Sequence, residues 1–245
     1  MKILLSNDDG VQAAGIHHFA DELRALGQVV ICAPEEPKSG ASSALTIYRP
    51  LIVHRLRKDV WSVSGNPADA VKLALTEILD GRPDLVVSGI NNGLNTGSNV
   101  LYSGTVAAAL EGAQAGITSF AVSRKVSPVE DYRAEAKLAT TLIGRLAKVH
   151  RKTGTTFNIN IPAGKPKGIR VTATELTPYV DRYDRRTDPR GRTYFWLRGT
   201  PPRVLAKNGR TTDDWAIARG FITVTPLRRD LTDGDLLEDL SRLLG

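Results

Sequence analysis

Lys2-Ile3-Leu4-Leu5-Ser6-Asn7-Asp8-Asp9-Gly10 runs from a short apolar strand into two adjacent carboxylates on a glycine turn, and the residues that follow decide the fold. Ile16, Phe19, Ala20, Leu23 and Leu26 recur at helical spacing until Gly27 closes the helix. Val29-Val30-Ile31-Cys32-Ala33 is then a continuous apolar run of the kind found in strands buried on both faces. The unit repeats. Asn66-Pro67 predicts a helix start, a cap followed by proline, with Val71, Leu75, Ile78 and Leu79 on the inner face. Residues 84–88 predict a strand, 104–114 a helix, 119–123 a strand and 134–149 a helix. This alternation places the chain in the α/β class, with a doubly wound, mostly parallel, Rossmann-like sheet and helices on both faces.

Residues 45–47, 51–56 and 61–63 read as short strands interrupting the pattern. Beyond residue 150 the segments 156–161, 169–174, 193–197 and 221–225 are strand-like, and 235–244 predicts a closing helix. The expectation is one α/β domain over 1–245, with 1–150 as the core and about 151–245 as a β-rich C-terminal extension. The basic connection near 177–193 is not expected to form regular structure; it either closes over a site or reaches a neighbouring subunit.

The 245 residues are 41% hydrophobic and 24% charged, a globular composition that rules out disorder. One cysteine, Cys32, excludes an intramolecular disulfide and cysteine-based metal clusters, and its apolar strand marks it as an inert core residue. No apolar run reaches the length of a secretion signal or a bilayer span, so the expectation is a cytoplasmic protein without a membrane partner. The four histidines, His17, His18, His54 and His150, lack metal-ligand spacing and read as surface or packing residues.

The net charge of +7 raises the question of a polyanionic partner. Residues 181–210 hold nine Lys+Arg against three acids, so six of the seven charges sit there. A basic nucleic-acid-binding module without catalysis is the competing reading. Against it stand the three acids and the bunching of Tyr194-Phe195-Trp196, which could instead line a base-binding wall. The absence of G-x-G-x-x-G after the first strand, of a P-loop and of G-x-S-x-G disfavours dinucleotide enzymes, ATP-driven machines and α/β-hydrolases.

Parallel sheets bind ligands beyond the carboxyl ends of their strands. Three such loops can meet here: Asn7–Gly10 in the first, Lys38-Ser39-Gly40-Ala41-Ser42-Ser43 in the second and Gly89-Ile90-Asn91-Asn92-Gly93-Leu94-Asn95-Thr96-Gly97 in the third. Together they offer carboxylates from Asp8 and Asp9, the Ser39 hydroxyl and the Asn91 amide oxygen, an oxygen set suited to Mg²⁺, Mn²⁺ or Ca²⁺. Taken alone, the aspartate pair could equally be a polar turn or a helix cap. Tyr102-Ser103-Gly104-Thr105-Val106 feeds an alanine-rich helix and forms an anion site at its positive end, with a plain capped helix as the alternative.

With Ser6–Gly10, Lys38–Ser42, Val87-Ser88-Gly89-Ile90-Asn91-x-Gly93-x-Asn95, Tyr102–Val106, Thr212-Asp213 and Val224-Thr225-Pro226-Leu227 in order along nearly the whole chain, the sequence resembles the SurE family of survival-protein nucleotidases. The resemblance implies a 5′/3′-nucleotidase that hydrolyses nucleoside monophosphates, with exopolyphosphatase activity as an extension. It implies one divalent cation per subunit, Mg²⁺ or Mn²⁺, on Asp8, Asp9, Ser39 and Asn91. It further implies that Gly40, Asn95, Ser103, Gly104 and Thr105 face the phosphate, and that the molecule is a dimer or tetramer exchanging C-terminal extensions. No stable nucleic-acid complex is then expected. Asp8 and Asp9 are the catalytic pair, with water or an aspartate left open as the nucleophile.

Overall fold

The computed structural model describes residues 1–149, 154–176, 180–200 and 211–245. Its main sheet is built from β1 (Lys2–Ser6), β2 (Gln28–Pro34), β3 (Val53–Arg57), β4 (Val60–Val63), β5 (Leu85–Asn92), β6 (Thr118–Arg124), β7 (Thr156–Ile161), β8 (Ile169–Val171) and β11 (Ile222–Leu227). The order is β3-β4-β2-β1-β5-β6-β7-β11-β8. Strands β4, β2, β1, β5, β6 and β7 are mutually parallel, while β3 and β11 run antiparallel to their neighbours β4 and β7. The strand order reverses at β1, which has β2 on one side and β5 on the other. That reversal opens a crevice between the loops after β1 and β5, the place where open α/β sheets bind ligands.

Alternation along the strands sorts the core into two layers. Ile3, Leu5, Val87, Phe120 and Val122 face α1 (Ala14–Leu23) and α4 (Arg133–Leu146). Leu4, Cys32 and Val86 face α2 (Pro67–Leu73) and α3 (Gly104–Gln114). Helix α2 starts at the predicted cap: the Asp69 carboxylate accepts the Asn66 N–H at 2.8 Å. It continues as a π-type turn over Ala74–Ile78. Cys32 is wholly buried and donates its thiol to the Ala70 carbonyl; burial pushes its pKa up to about 12, so it stays an inert thiol. His17, His18 and His54 are packing or surface residues, and His150 lies outside the described residues. Among the described residues, no helix is long and apolar enough to cross a membrane.

Two expectations fail. Residues 45–47 form no strand; Asp69 instead takes the Thr46 N–H and hydroxyl, so a buried carboxylate replaces a ladder in fixing this loop. The basic connection is regular after all. β9 (Val180–Thr187) and β10 (Thr193–Thr200) pair antiparallel as a ribbon of their own. Across it Asp184 pairs with Arg198 at 2.7 Å, and at its tip Asp188 accepts the Arg190 and Arg192 N–H groups and the Arg192 guanidinium. The backbone ladder holds the two strands together, one ion pair crosses it, and Asp188 closes its turn. Residues 177–179 and 201–210, with Arg203, Lys207 and Arg210, lie outside the described residues. Two short helices close the fold, α5 (Asp213–Ile217), which the sequence pattern does not predict, and α6 (Gly234–Leu244).

Phe120 is fully buried and stacks on Phe157 with ring centroids 5.4 Å apart. Phe120→Ala should lower unfolding stability by about 3–5 kcal/mol, read as a fall in the urea midpoint with an unchanged slope.

Candidate active site

Strand β1 delivers Asp8 into the crevice with its side chain buried. Its Oδ1 accepts the Thr105 hydroxyl, and the Thr105 backbone N–H also bonds the carboxylate. Both donors lie in the first turn of α3, so the charge sits where the helix dipole favours it. Gly104 makes this approach possible: a Cβ there would stand 2.8 Å from the Asp8 Cβ and 3.1 Å from its Oδ2. Burial nevertheless raises the Asp8 pKa above the ordinary carboxylate range, against the lowering effect of the Thr105 donors and its own N–H. Burial, followed by repulsion from Asp8, pushes Asp9 up to about 6, and only the Asn92 N–H holds it down. The pair therefore carries more negative charge than its surroundings neutralise.

The other two loops are tied to this point. Lys38 N–H donates to the Asp8 carbonyl at 2.7 Å, bringing the Ser39 loop against the β1 turn. Ser42 then bonds the Tyr102 and Leu101 carbonyls, linking the same loop to the start of α3. Ser39 and Gly40 are exposed at the lip, and open space surrounds the Gly40 Cα. The β5–β6 register slips between Ser88 and Asn91, a bulge that swings the end of β5 into the crevice. The Asn91 amide donates to the Gly93 carbonyl at 2.7 Å, turning its oxygen the opposite way and leaving it available as a ligand.

Ser103 caps α3 by accepting the Val106 N–H at 3.1 Å, so the capped-helix reading holds, and it coexists with a Gly104 N–H that takes no partner among the described residues. Asn95 differs from the rest. Its side chain turns to the sheet, where Nδ2 donates to Ser123 Oγ at 2.8 Å, and its backbone is gripped by Asn158 and Asn160. Those two asparagines and Ser123 were invisible to sequence reasoning, although Asn-x-Asn within an apolar strand is an available signal. Among the described residues, no three His, Cys, Asp or Glu side chains form a cluster that could hold a metal ion. Two carboxylates completed by neutral hydroxyl and amide oxygens remain a donor set that fits a hard divalent cation.

The raised Asp9 pKa has a thermodynamic consequence for the cation-free protein. Between the unfolded value near 3.8 and the folded value near 6, the folded state binds more protons, so this group's contribution to stability falls as pH rises through that window. In chelator, Asp9→Asn should therefore melt higher than the parent at pH 7.5, with the gap closing towards pH 4, as thermal melts across that range would show.

A model of the family described as survival protein SurE matches residues 3–181. The 5′-nucleotidase SurE of Pelotomaculum thermopropionicum is 43% identical over 249 aligned residues, spanning 100% of this chain and 95% of that protein. That of Rhodopirellula baltica is 43% identical, spanning 98% and 97%. Among solved structures, the SurE protein from Aquifex aeolicus is similar with a TM-score of 0.87 at 35% identity, covering 99% of each chain. The motifs that line the crevice, the doubly wound sheet that carries them and these full-length likenesses agree: the chain belongs to the SurE family.

Proposed function

We propose that this chain is a divalent-metal-dependent 5′/3′-nucleotidase that hydrolyses nucleoside monophosphates to nucleoside and phosphate, with short polyphosphate as a further substrate. Its relatives are named 5′-nucleotidases over their full length. The observation that carries the reading is the buried Asp8 carboxylate clamped by Thr105 against the first turn of α3, with the under-neutralised Asp9 beside it.

Asp8, Asp9, Ser39 and Asn91 would hold one cation per subunit, Mg²⁺ or Mn²⁺. Bound there, it would supply Lewis-acid polarisation of the phosphate and activation of water. Asp8, engaged by two Thr105 donors, is the fixed member of the pair. Asp9, with one backbone donor, is the carboxylate free to accept a proton from the attacking water. The Gly104 N–H and the positive end of α3 meet the phosphate oxygens, with Ser103, Thr105, Gly40 and Asn95 around them. On the hairpin, Arg186, Arg192 and Arg198 already pair with Asp184 and Asp188, so the basic surplus does not favour a nucleic-acid module. We place the protein in the cytoplasm, where a chain with one free thiol is at home.

Phosphate release from 5′- and 3′-nucleoside monophosphates should vanish in chelator and return with Mg²⁺ or Mn²⁺, and Asp9→Asn should lower kcat by roughly 100-fold or more. An equally active chelated protein, or full rate in Asp9→Asn, would defeat the reading.

A dimer or tetramer is part of the proposal. Tyr183, Phe195, Trp196 and Leu197 stand exposed on the hairpin, as do Leu236, Leu237, Leu240, Leu243 and Leu244 on α6, apolar side chains of the kind that mark interaction surfaces when they cluster. Sedimentation should give at least the dimer mass, and Trp196→Asp should shift it to a smaller species.

A further inference from the structure

Thr212-Asp213 has no part in the site described so far, yet Asp213 is buried beside a polar stretch of the interior. On β6 and β7 the buried side chains that meet the 95–97 turn are Ser123, Asn158 and Asn160; on β11 the buried Thr223 and Thr225 lie beside Asn160 and Asn158 in register, and Thr172, just past β8, bonds Thr225. A polar interior is costly unless its groups are bonded, so what these residues bond to shows what the arrangement holds in place.

Much of it holds one turn. Asn160 Oδ1 accepts the Asn95 N–H at 2.8 Å, and Asn158 and Asn160 both donate to the Asn95 carbonyl, at 2.7 and 3.1 Å. Two residues further on, Asp213 takes over from the other side. It is fully buried, and its Oδ2 accepts the Gly97 N–H at 3.0 Å while Oδ1 accepts the Glu175 and Asp214 N–H groups, each at 2.9 Å. Asp214 Oδ1 accepts the Thr96 hydroxyl at 2.5 Å. The fit leaves no room for a side chain at position 97, where a Cβ would stand 2.9 Å from Asp214 Oδ2. From Gly97 the chain runs through one 3₁₀ segment, Gly97–Leu101, into Ser103-Gly104-Thr105. The anchor thus lies between the two stretches assigned to the phosphate.

We propose that Asp213, with Asp214 beside it, is a positioning residue of the active site: it fixes the Thr96–Gly97 backbone so that Asn95 on one side and Ser103–Thr105 on the other are held in register for the substrate phosphate. The C-terminal extension then contributes to the phosphate site of its own chain. This inference rests on the assignment of Asn95 and Ser103–Thr105 to phosphate.

Asp213→Asn separates the role from that of a plain cap. If the remaining oxygen keeps the Glu175 and Asp214 N–H groups, the new amide turns an N–H towards the Gly97 N–H and breaks only that contact. Steady-state kinetics on a nucleoside monophosphate, inhibition by inorganic phosphate and Mn²⁺ binding by calorimetry would be measured on the full chain. Expected are a loss of about 10-fold in kcat/KM and a similar weakening of phosphate inhibition, with Mn²⁺ affinity unchanged within about twofold, because Asp8, Asp9 and Ser39 sit on other loops and Asn91 is held by its own bond to the Gly93 carbonyl. Thr96→Val, which removes only the hydroxyl bonded to Asp214, should move the same two quantities in the same direction and serves if Asp213→Asn does not fold. Folded variants with parental kcat/KM and phosphate inhibition would overturn the proposal, as would an equal loss of Mn²⁺ affinity. Failure of the parent protein itself to release phosphate or to be inhibited by it would instead count against the nucleotidase reading.

Discussion

The burial of the Asp8 carboxylate against the first turn of α3 is the constraint on which the rest of the structure turns. An ionised carboxylate inside a protein needs donors, and here Thr105 supplies two from a helix end whose dipole has the matching sign. For that to happen α3 must come within contact of the loop after β1, which requires glycine at 104, with the small residues Ala107, Ala108 and Ala109 along the buried part of the helix. The helix position then fixes the sheet. Val106, Ala108 and Ala109 pack on Val86 and Ala121 of β5 and β6, and the loop carrying Ser39 is drawn in through Lys38 and Ser42. One charge–dipole contact thereby orders three loops that are far apart in sequence.

The arrangement is not stable for its own sake. Asp9 stands beside Asp8 with a single backbone donor and a pKa pushed well above its usual range, a local penalty that better packing would have removed. Uncompensated charge of this kind gathers at sites that wait for something to bind.

The parallel half of the fold was legible because strands buried on both faces leave unbroken apolar runs and helices between them leave a period near 3.6. Helix α3 could be read to the residue, and the oxygen-bearing loops announced themselves by composition. What escaped did so for physical reasons. The β9–β10 ribbon has both faces largely in water, so Val180–Thr187 shows no alternation and passes for a charged linker. Residues 45–47 are apolar like a strand but take their support from Asp69. Asn158 and Asn160 look like the solvent side of β7, because a buried polar face and a wet one leave the same pattern in a sequence. The partnership between residues 97 and 213 could not be anticipated at all, since only the folded sheet brings them together.

That sheet also has a history in the order of its synthesis. Strand β11 pairs on one side with β7 and on the other with β8, although both precede it in the chain. Until residues 222–227 leave the ribosome, β7 has an open edge on its far side and β8 has no neighbour to join. A nascent chain that has made β7 and β8 but not yet β11 still offers a sticky strand to its surroundings. The emergence of β11 therefore closes the sheet on both sides.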